Sequence, residues 1–365
     1  MSLLFEQLSL NSELTLPNRV VMAPLTRCRA QRNGTPNSIM ATYYAQRASA
    51  GLIITEATGI SDMSMGYPYT PGIWSQEHID AWREISSAVH AQGGRMFMQL
   101  WHVGRVSHPD FIQGKTPVSA SSVAHALKEK TTYDGPKPYV LSRSLAVHEI
   151  QDIVKDFTKA AENAVEAGMD GVEIHGANGY LIEQFLAEST NQRTDEYGGS
   201  IENRCRFAIE VVRSVCTAIG SRKVGIRLSP SGMSHDVVHS QPDKTYAYLL
   251  NELSKLELAY VHFEEPFDPP ENLPDSYATE VLSHYHGYYN GIIICNGGLT
   301  KTSATTKINN QQAHLAAFGR WYISNPDLVV RLENDWPIAS ADEATFYGPG
   351  EKGYADYPEW QVADE

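Results

Sequence analysis

His175-Gly-Ala-Asn178-Gly-Tyr180 sets an imidazole, a carboxamide and a phenol close together along the chain. The i, i+3 spacing lets one turn aim the imidazole and the amide at a common point, with the phenol reaching in from just beyond. Two neutral donors on one oxygen make an oxyanion site, and a phenol beside it can supply a proton. The hexapeptide also reads as a satisfied core histidine followed by an Asn-Gly turn, and alone it does not separate the two. A second pattern is glycine after an apolar run, at Gly297-Gly298 and again at Gly319-Arg320. Backbone N–H groups approach oxygen closely where no Cβ intervenes, and arginine adds a bidentate contact, so the two turns together favour a phosphate cradle over tight turns with a surface arginine.

Other chemistries find less support. No lysine ends an apolar run, Lys223 standing at the start of one, which removes the Schiff-base nucleophile of barrel aldolases. Glu173 precedes His175 within one run and makes no metal triad with it, although Glu264-Glu265 joined by a histidine from elsewhere stays open. Cys28, Cys205, Cys216 and Cys295 stand far apart with no C-x-x-C pair, which argues for reduced thiols and against zinc, iron–sulfur or disulfide frameworks. A G-x-G-x-x-G at Gly348, Gly350 and Gly353 has no strand before it, no helix after it and Pro349 inside it, so it is no dinucleotide fingerprint.

These residues need elements to hold them. Strand-length apolar runs fall at Arg19 to Thr26, Gly51 to Thr58, Arg95 to His102, Gly171 to Ala177, Lys223 to Pro230, Tyr260 to Glu265, Gly291 to Gly298 and His314 to Arg320. They are runs more than alternations, as parallel strands covered on both faces require. After them come helical patterns at Asn37 to Ser49, Gln76 to Gln92, Val147 to Ala167, Ile201 to Ile219, Thr245 to Leu256, Ser276 to His286, Thr300 to Asn310 and Asn325 to Glu333. Gly168 and Gly93-Gly94 stand where helix ends need a left-handed residue. Eight β-α units with right-handed crossovers close most simply into one (β/α)8 barrel spanning residues 1–365, an α/β fold whose strand C-termini carry the chemistry. Val103 to Arg143, rich in Pro, Ser and Lys, is an insertion after the third strand that either caps the site or is a solvent-exposed excursion; Asp335 to Glu365 is expected to run over the surface as a tail.

The 365 residues are 42% apolar and 20% charged, a globular composition, with no run near the ~20 apolar residues of a membrane helix and no targeting pattern at the start. A cytoplasmic protein without membrane partners is expected. The formal charge of −14, without a basic run, argues against nucleic acid.

The stretches MAPLTR (22–27), YYAQRASAGLIITEAT (43–58), QLWHVGR (99–105), HGANGY (175–180), NQRTDEYGGSIENR (191–204) and FGRWYISNPDL (318–328) resemble, in order, the Old Yellow Enzyme family of FMN-dependent ene-reductases. The resemblance implies a single barrel and a bound FMN, with NADPH or NADH as reductant. It implies that Pro24, Thr26, Ala57, Gln99, Arg227, Gly297, Gly298, Gly319 and Arg320 bind FMN, with Thr26 donating to a flavin carbonyl, Gln99 on the pyrimidine ring, Arg227 balancing negative charge on the ring, and Gly298 and Arg320 on the phosphate. His175 and Asn178 match the pair that binds a substrate carbonyl or nitro oxygen, Tyr180 the proton donor, and Tyr67, Trp101 and Tyr347 the pocket above the flavin. The implied activity is ping-pong reduction of the C=C bond of small-molecule activated alkenes by a monomer or homodimer, with no metal. Thr26 marks the Thr-type subgroup, and Cys28 is expected to face away from the flavin. EPFDPPENLP after the sixth strand departs from some relatives. Dienoyl-CoA reductases share parts of these motifs but are longer, with clustered cysteines. A cofactor-free phosphate-binding barrel and a flavin-binding sensor without turnover are the remaining alternatives.

Overall fold

The computed structural model describes residues 2–266, 274 and 276–361. Each expected apolar run contains a barrel strand: β1 (Val20–Met22), β2 (Leu52–Ile54), β3 (Met96–Trp101), β4 (Gly171–Gly176), β5 (Val224–Leu228), β6 (Tyr260–Glu264), β7 (Ile293–Asn296) and β8 (Leu315–Phe318). All pair in parallel with their sequence neighbours, and β8 pairs with β1, which closes the (β/α)8 barrel.

Strand alternation sorts the side chains into two layers. Val20, Met22, Ile53, Met98, Ile174, Ile226, Phe263 and Cys295 point outward into the core shared with the helices. Val21, Leu52, Ile54, Phe97, Tyr260, Ile294, Leu315 and Ala317 point inward and pack with Leu10, Leu14 and Leu16, which flank or belong to the small antiparallel Leu8–Ser9/Thr15–Leu16 pair. Toward the strand C-termini the inward positions turn polar and cross-link the strands. Gln99 Nε2 donates to Glu173 Oε1 at 2.8 Å, Glu173 Oε2 meets His262 Nδ1 at 2.9 Å, and Arg227 Nη2 donates to Glu264 Oε2 at 2.7 Å and Asn296 Oδ1 at 2.9 Å. The barrel therefore rests on an apolar base and presents a cross-linked polar layer at its top.

The helices are α1 (Ser38–Ala45), α2 (Gln76–Ala91), α3 (Val147–Glu166), α4 (Ile201–Ile219), α5 (Pro242–Leu253), α6 (Val281–Tyr285), α7 (Lys301–Asn309) and α8 (Leu328–Asn334). Gly168 follows α3 with φ +86° and Gly93 follows α2 with φ +79°, the left-handed turns their sequence positions suggest. The helix expected over 276–286 is reduced to Val281–Tyr285, with 276–280 in turns and bends before it. Two short helices were not anticipated, Leu181–Leu186 directly after Tyr180 and Arg320–Ser324.

The 103–143 stretch contains an antiparallel hairpin, Glu129–Thr132 with Gly135–Pro138. The C-terminal stretch runs over the surface but carries one deep anchor: Tyr354 is fully buried and stacks on Tyr43 with ring centroids 4.0 Å apart. Arg27 and Arg29 fasten it by donating to the carbonyls of Phe346, Gly353, Thr345 and Lys352. The EPFDPPENLP departure after β6 lies largely outside the described residues. Among the described residues no helix is long and apolar enough to cross a membrane, and no group of three His, Cys, Asp or Glu is placed to hold a metal.

Candidate active site

Two adjoining cavities of about 890 and 700 Å³ open at the C-terminal ends of the strands and share Pro24, Leu25, Arg227, Glu264, Arg320 and Phe346 on their walls. Every candidate residue from the sequence lines one or both. Thr26, Ala57, Tyr67, Gln99, Trp101, His175, Asn178, Tyr180 and Tyr347 line the larger, and Gly297, Gly298 and Gly319 the smaller. Their sizes lie within the range of cofactor sites.

The end of β4 builds the larger cavity's floor. Asn178 (φ +59°) and Gly179 (φ +75°) turn the chain sharply, and buried Glu183 holds the turn: its Oε2 accepts from Gly179 N at 2.6 Å. Ser229 at the end of β5 donates to Glu183 and accepts from Asn178 N at 2.9 Å, tying two barrel strands to one turn. His175 is buried, and Ala177 N donates to its Nδ1 at 3.4 Å, which leaves Nε2 to carry the proton. Burial first, then the Arg227 and His262 charges, hold its pKa well below the ordinary value, so it is a neutral donor at physiological pH. Tyr180 stands edge-on to both His175 and Trp101, with ring centroids 5.0 and 4.9 Å away.

Tyr67 stacks along Trp101 at 5.5 Å, and its hydroxyl lies 3.2 Å from Tyr180 Oη and 3.3 Å from His235 Nε2. Burial raises the pKa of both phenols and lowers that of His235 to about 4. At neutral pH the row is uncharged. Tyr347 sits at the rim, 67% exposed.

The second cavity is bounded by Gly297 (φ +121°) and Gly298 (φ +56°) after β7, conformations a side chain rarely adopts. Thr300 follows as the N-cap of α7, its hydroxyl accepting from Ser303 N. Arg227, from β5, reaches the wall both cavities share; its Nε is buried without a hydrogen-bond partner among the described residues. A buried guanidinium N–H left open beside two cavities, with glycine turns and Arg320 at one end and amide, hydroxyl and aromatic groups at the other, fits a ligand that is planar at one end and anionic at the other. FMN has that form.

Several lining residues were not singled out from the sequence. His235 (φ +56°) comes from the loop after β5, whose polar composition carried no signal. Lys130 comes from the 129–138 hairpin, where only the Lys-rich composition of the insertion hinted at charge. One expectation is corrected: Cys28 lines the same cavity as Thr26 and does not face away. Residues two apart on a strand share a side, and here the chain has left the strand, with Cys28 itself at φ +57°.

The sequence profile described as the NADH:flavin oxidoreductase / NADH oxidase family matches residues 3–338. The chain is 44% identical over 361 residues to 12-oxophytodienoate reductase 1 of Oryza sativa subsp. japonica, covering 97% of this chain and 92% of that one. Among solved structures it is similar to the Old Yellow Enzyme homologue of Zymomonas mobilis, with a TM-score of 0.92, 41% identity and 98% and 99% of the two chains covered. It is equally similar to morphinone reductase in complex with tetrahydroNAD, with a TM-score of 0.92, 43% identity and 99% of each chain covered.

Proposed function

Because the chain belongs to the NADH:flavin oxidoreductase / NADH oxidase family, that of the Old Yellow Enzymes, and is an NAD(P)H-dependent FMN oxidoreductase, we propose that it reduces the C=C bond of small α,β-unsaturated carbonyl or nitro compounds. Nicotinamide (NADPH or NADH) and alkene use one site in turn, a ping-pong scheme. Bound FMN supplies the hydride transfer that links the two.

Thr26, Gln99 and Arg227 would hold the ring system between the walls formed by Pro24 and Ala57, and Gly297, Gly298, Gly319 and Arg320 its phosphate. Tyr67, Trp101 and Tyr347 would enclose the alkene. His175 Nε2–H and the Asn178 amide hold the carbonyl or nitro oxygen and strengthen their hydrogen bonds as negative charge gathers on it. A protonated imidazole is excluded by burial, so the pair stabilises the oxyanion without giving up a proton.

Tyr180 gives its proton to the α-carbon. Its phenol is too weakly acidic to ionise beforehand, and the adjacent hydroxyl of Tyr67 answers the charge that develops as the proton leaves. In this scheme His235 Nε2–H donates to Tyr67 Oη and the Tyr67 O–H donates to Tyr180 Oη, across contacts of 3.3 and 3.2 Å, which leaves the Tyr180 proton for the substrate.

The 129–138 hairpin caps the site in this reading, because Glu129, Lys130, Thr131 and Thr132 line the cavity. The protein acts in the cytoplasm as a monomer or homodimer. The observation that carries the proposal is the convergence of His175, Asn178 and Tyr180 on one cavity with Thr26, Gln99 and Arg227. The test is an absorption spectrum of the purified protein, followed by anaerobic NADPH and then 2-cyclohexenone. A flavin band that bleaches and returns with the enone is expected; a band that bleaches and does not return would mark a sensor, not an ene-reductase.

A further inference from the structure

Glu173 is fully buried inside the barrel, where it shares the interior with the Phe97 and Tyr260 rings. An ionised side chain held that far from water is costly unless donors meet it, and both of its oxygens are met by nitrogen. Gln99, its register partner on β3, donates from Nε2 to Oε1 at 2.8 Å, and His262 from β6 meets Oε2 with Nδ1 at 2.9 Å. Between β4 and β6 runs β5, which carries Gly225 at the level of Glu173. A Cβ there would stand 2.3 Å from the Tyr260 ring, so glycine leaves that ring its place beside the contact.

Burial, partly opposed by the Glu173 charge, holds the His262 pKa below its ordinary value, so the imidazole is neutral and carries one N–H. Burial first, then the Glu173 charge, hold Tyr260 well above its ordinary pKa, so that phenol is neutral too. The cation of the layer, Arg227, is engaged with Glu264 at 2.7 Å and Asn296 at 2.9 Å. A carboxylate only accepts. With Glu173 ionised, the imidazole proton sits on Nδ1 and the Gln99 amide turns its NH2 group to Glu173. What Gln99 has left for the larger cavity, whose wall it forms, is the opposite end of the amide, the acceptor Oε1.

We propose that Glu173 and His262 are positioning residues that lock the Gln99 carboxamide with Oε1 toward the cavity, so that the protein selects its flavin through the imide N–H of the ring. The inference rests on the placement of the ring against Gln99 given above, and not on alkene reduction. The oxidised flavin ring has one N–H, between its two carbonyl groups, and an amide turned the other way would set N–H against N–H there. Glu173→Gln keeps the size of the side chain and removes the constraint. His262 Nδ1–H then holds the carbonyl of the substituted side chain, its NH2 group faces Gln99, and the Gln99 amide inverts.

Holoenzyme made in nitrogen-15 medium carries labelled FMN, and NMR reads the imide N–H directly. In wild type that N–H is expected to exchange with water at least tenfold more slowly than in free FMN. Glu173→Gln and His262→Leu should speed the exchange about tenfold, while His262→Asn, whose amide donates from the place of Nδ1, keeps the wild-type rate. Titration of the flavin-stripped proteins then compares FMN with 3-methyl-FMN, which lacks the N–H, and with riboflavin, which lacks the phosphate. Wild type should favour FMN over 3-methyl-FMN at least tenfold; in Glu173→Gln that ratio falls at least threefold and the FMN-to-riboflavin ratio holds. Should Glu173→Gln not retain flavin, the His262 pair decides. Wild-type exchange as fast as in free FMN overturns the proposal, and so does exchange that neither Glu173→Gln nor His262→Leu alters. A fall of both flavin ratios together also overturns it, since Glu173 would then be a general support of the barrel. Gln99→Leu separates the two readings: if it leaves the imide N–H unchanged, the placement of the ring fails, and if it speeds exchange where Glu173→Gln does not, only the role of Glu173 falls.

Discussion

Replacing Tyr67 by Phe removes a single hydroxyl, the one standing 3.2 Å from Tyr180 Oη and 3.3 Å from His235 Nε2. The ring keeps its place along Trp101 and under Lys130, so packing changes little. In the proposed mechanism Tyr180 yields its proton and leaves a negative oxygen behind, and a hydrogen bond to a charged group is worth about 1.5–3 kcal/mol. At 3.2 Å this bond is longer than the ordinary O–H···O distance, which places it at the low end, about 1.5 kcal/mol, or about tenfold in rate. Tyr180→Phe removes the proposed proton donor itself and is expected to cost about 10²–10⁴-fold in alkene reduction. The double variant is expected to be no slower than Tyr180→Phe alone, because Tyr67 acts through the Tyr180 oxygen. Anaerobic stopped-flow absorbance reads the two half-reactions separately, and the nicotinamide half-reaction, which moves no proton through Tyr180, should be affected far less. Equal slowing of both half-reactions by Tyr67→Phe, or additive losses in the double variant, would refute the hydrogen-bonded row as the route by which Tyr67 acts.

Two further outcomes follow from groups that support the site. Glu56 is fully buried, accepts from Tyr44 Oη at 3.3 Å, and burial raises its pKa to about 7, against partial relief from Arg27. The folded state therefore holds this proton more tightly than the unfolded chain: stability is fully present below about pH 4.5 and falls by about 3 kcal/mol as pH rises through 7. Glu56→Gln should remove that slope, read as urea midpoints at pH 5 and 8; an unchanged slope would show that Glu56 is already ionised in the native protein. Arg29 donates to the Phe346, Thr345 and Lys352 carbonyls, so Arg29→Met should free the 345–353 stretch, speed limited proteolysis there at least tenfold and weaken alkene binding through Tyr347; unchanged cleavage would mean that Arg27 and Tyr354 suffice as anchors.

The barrel and most of its site were legible along the chain because each depends on local order. A strand's apolar run and the polar residue at its C-terminal end are neighbours in sequence, so Gln99, His175, Arg227 and Gly297-Gly298 could be placed at one rim once eight strands were counted. The HGANGY turn and the FGRWYISNPDL stretch were long enough to carry the family resemblance without any structure. What the chain could not show is which strand-end residues answer each other. Glu173 shares its strand with His175 yet pairs with Gln99 and His262 from β3 and β6, because closing the barrel points their alternate side chains into one interior. Cys28 faces the same cavity as Thr26 because the backbone leaves the strand after β1 and passes through a left-handed residue there. His235 belongs to a polar loop and Lys130 to a short hairpin strand, both of a composition like any solvated segment; they meet Tyr67 only where the insertion folds back over it. Local pattern determined the scaffold and the residue types at its rim, while contacts between segments far apart in sequence, decided by barrel closure and by the hairpin's return, determined which charges are buried together.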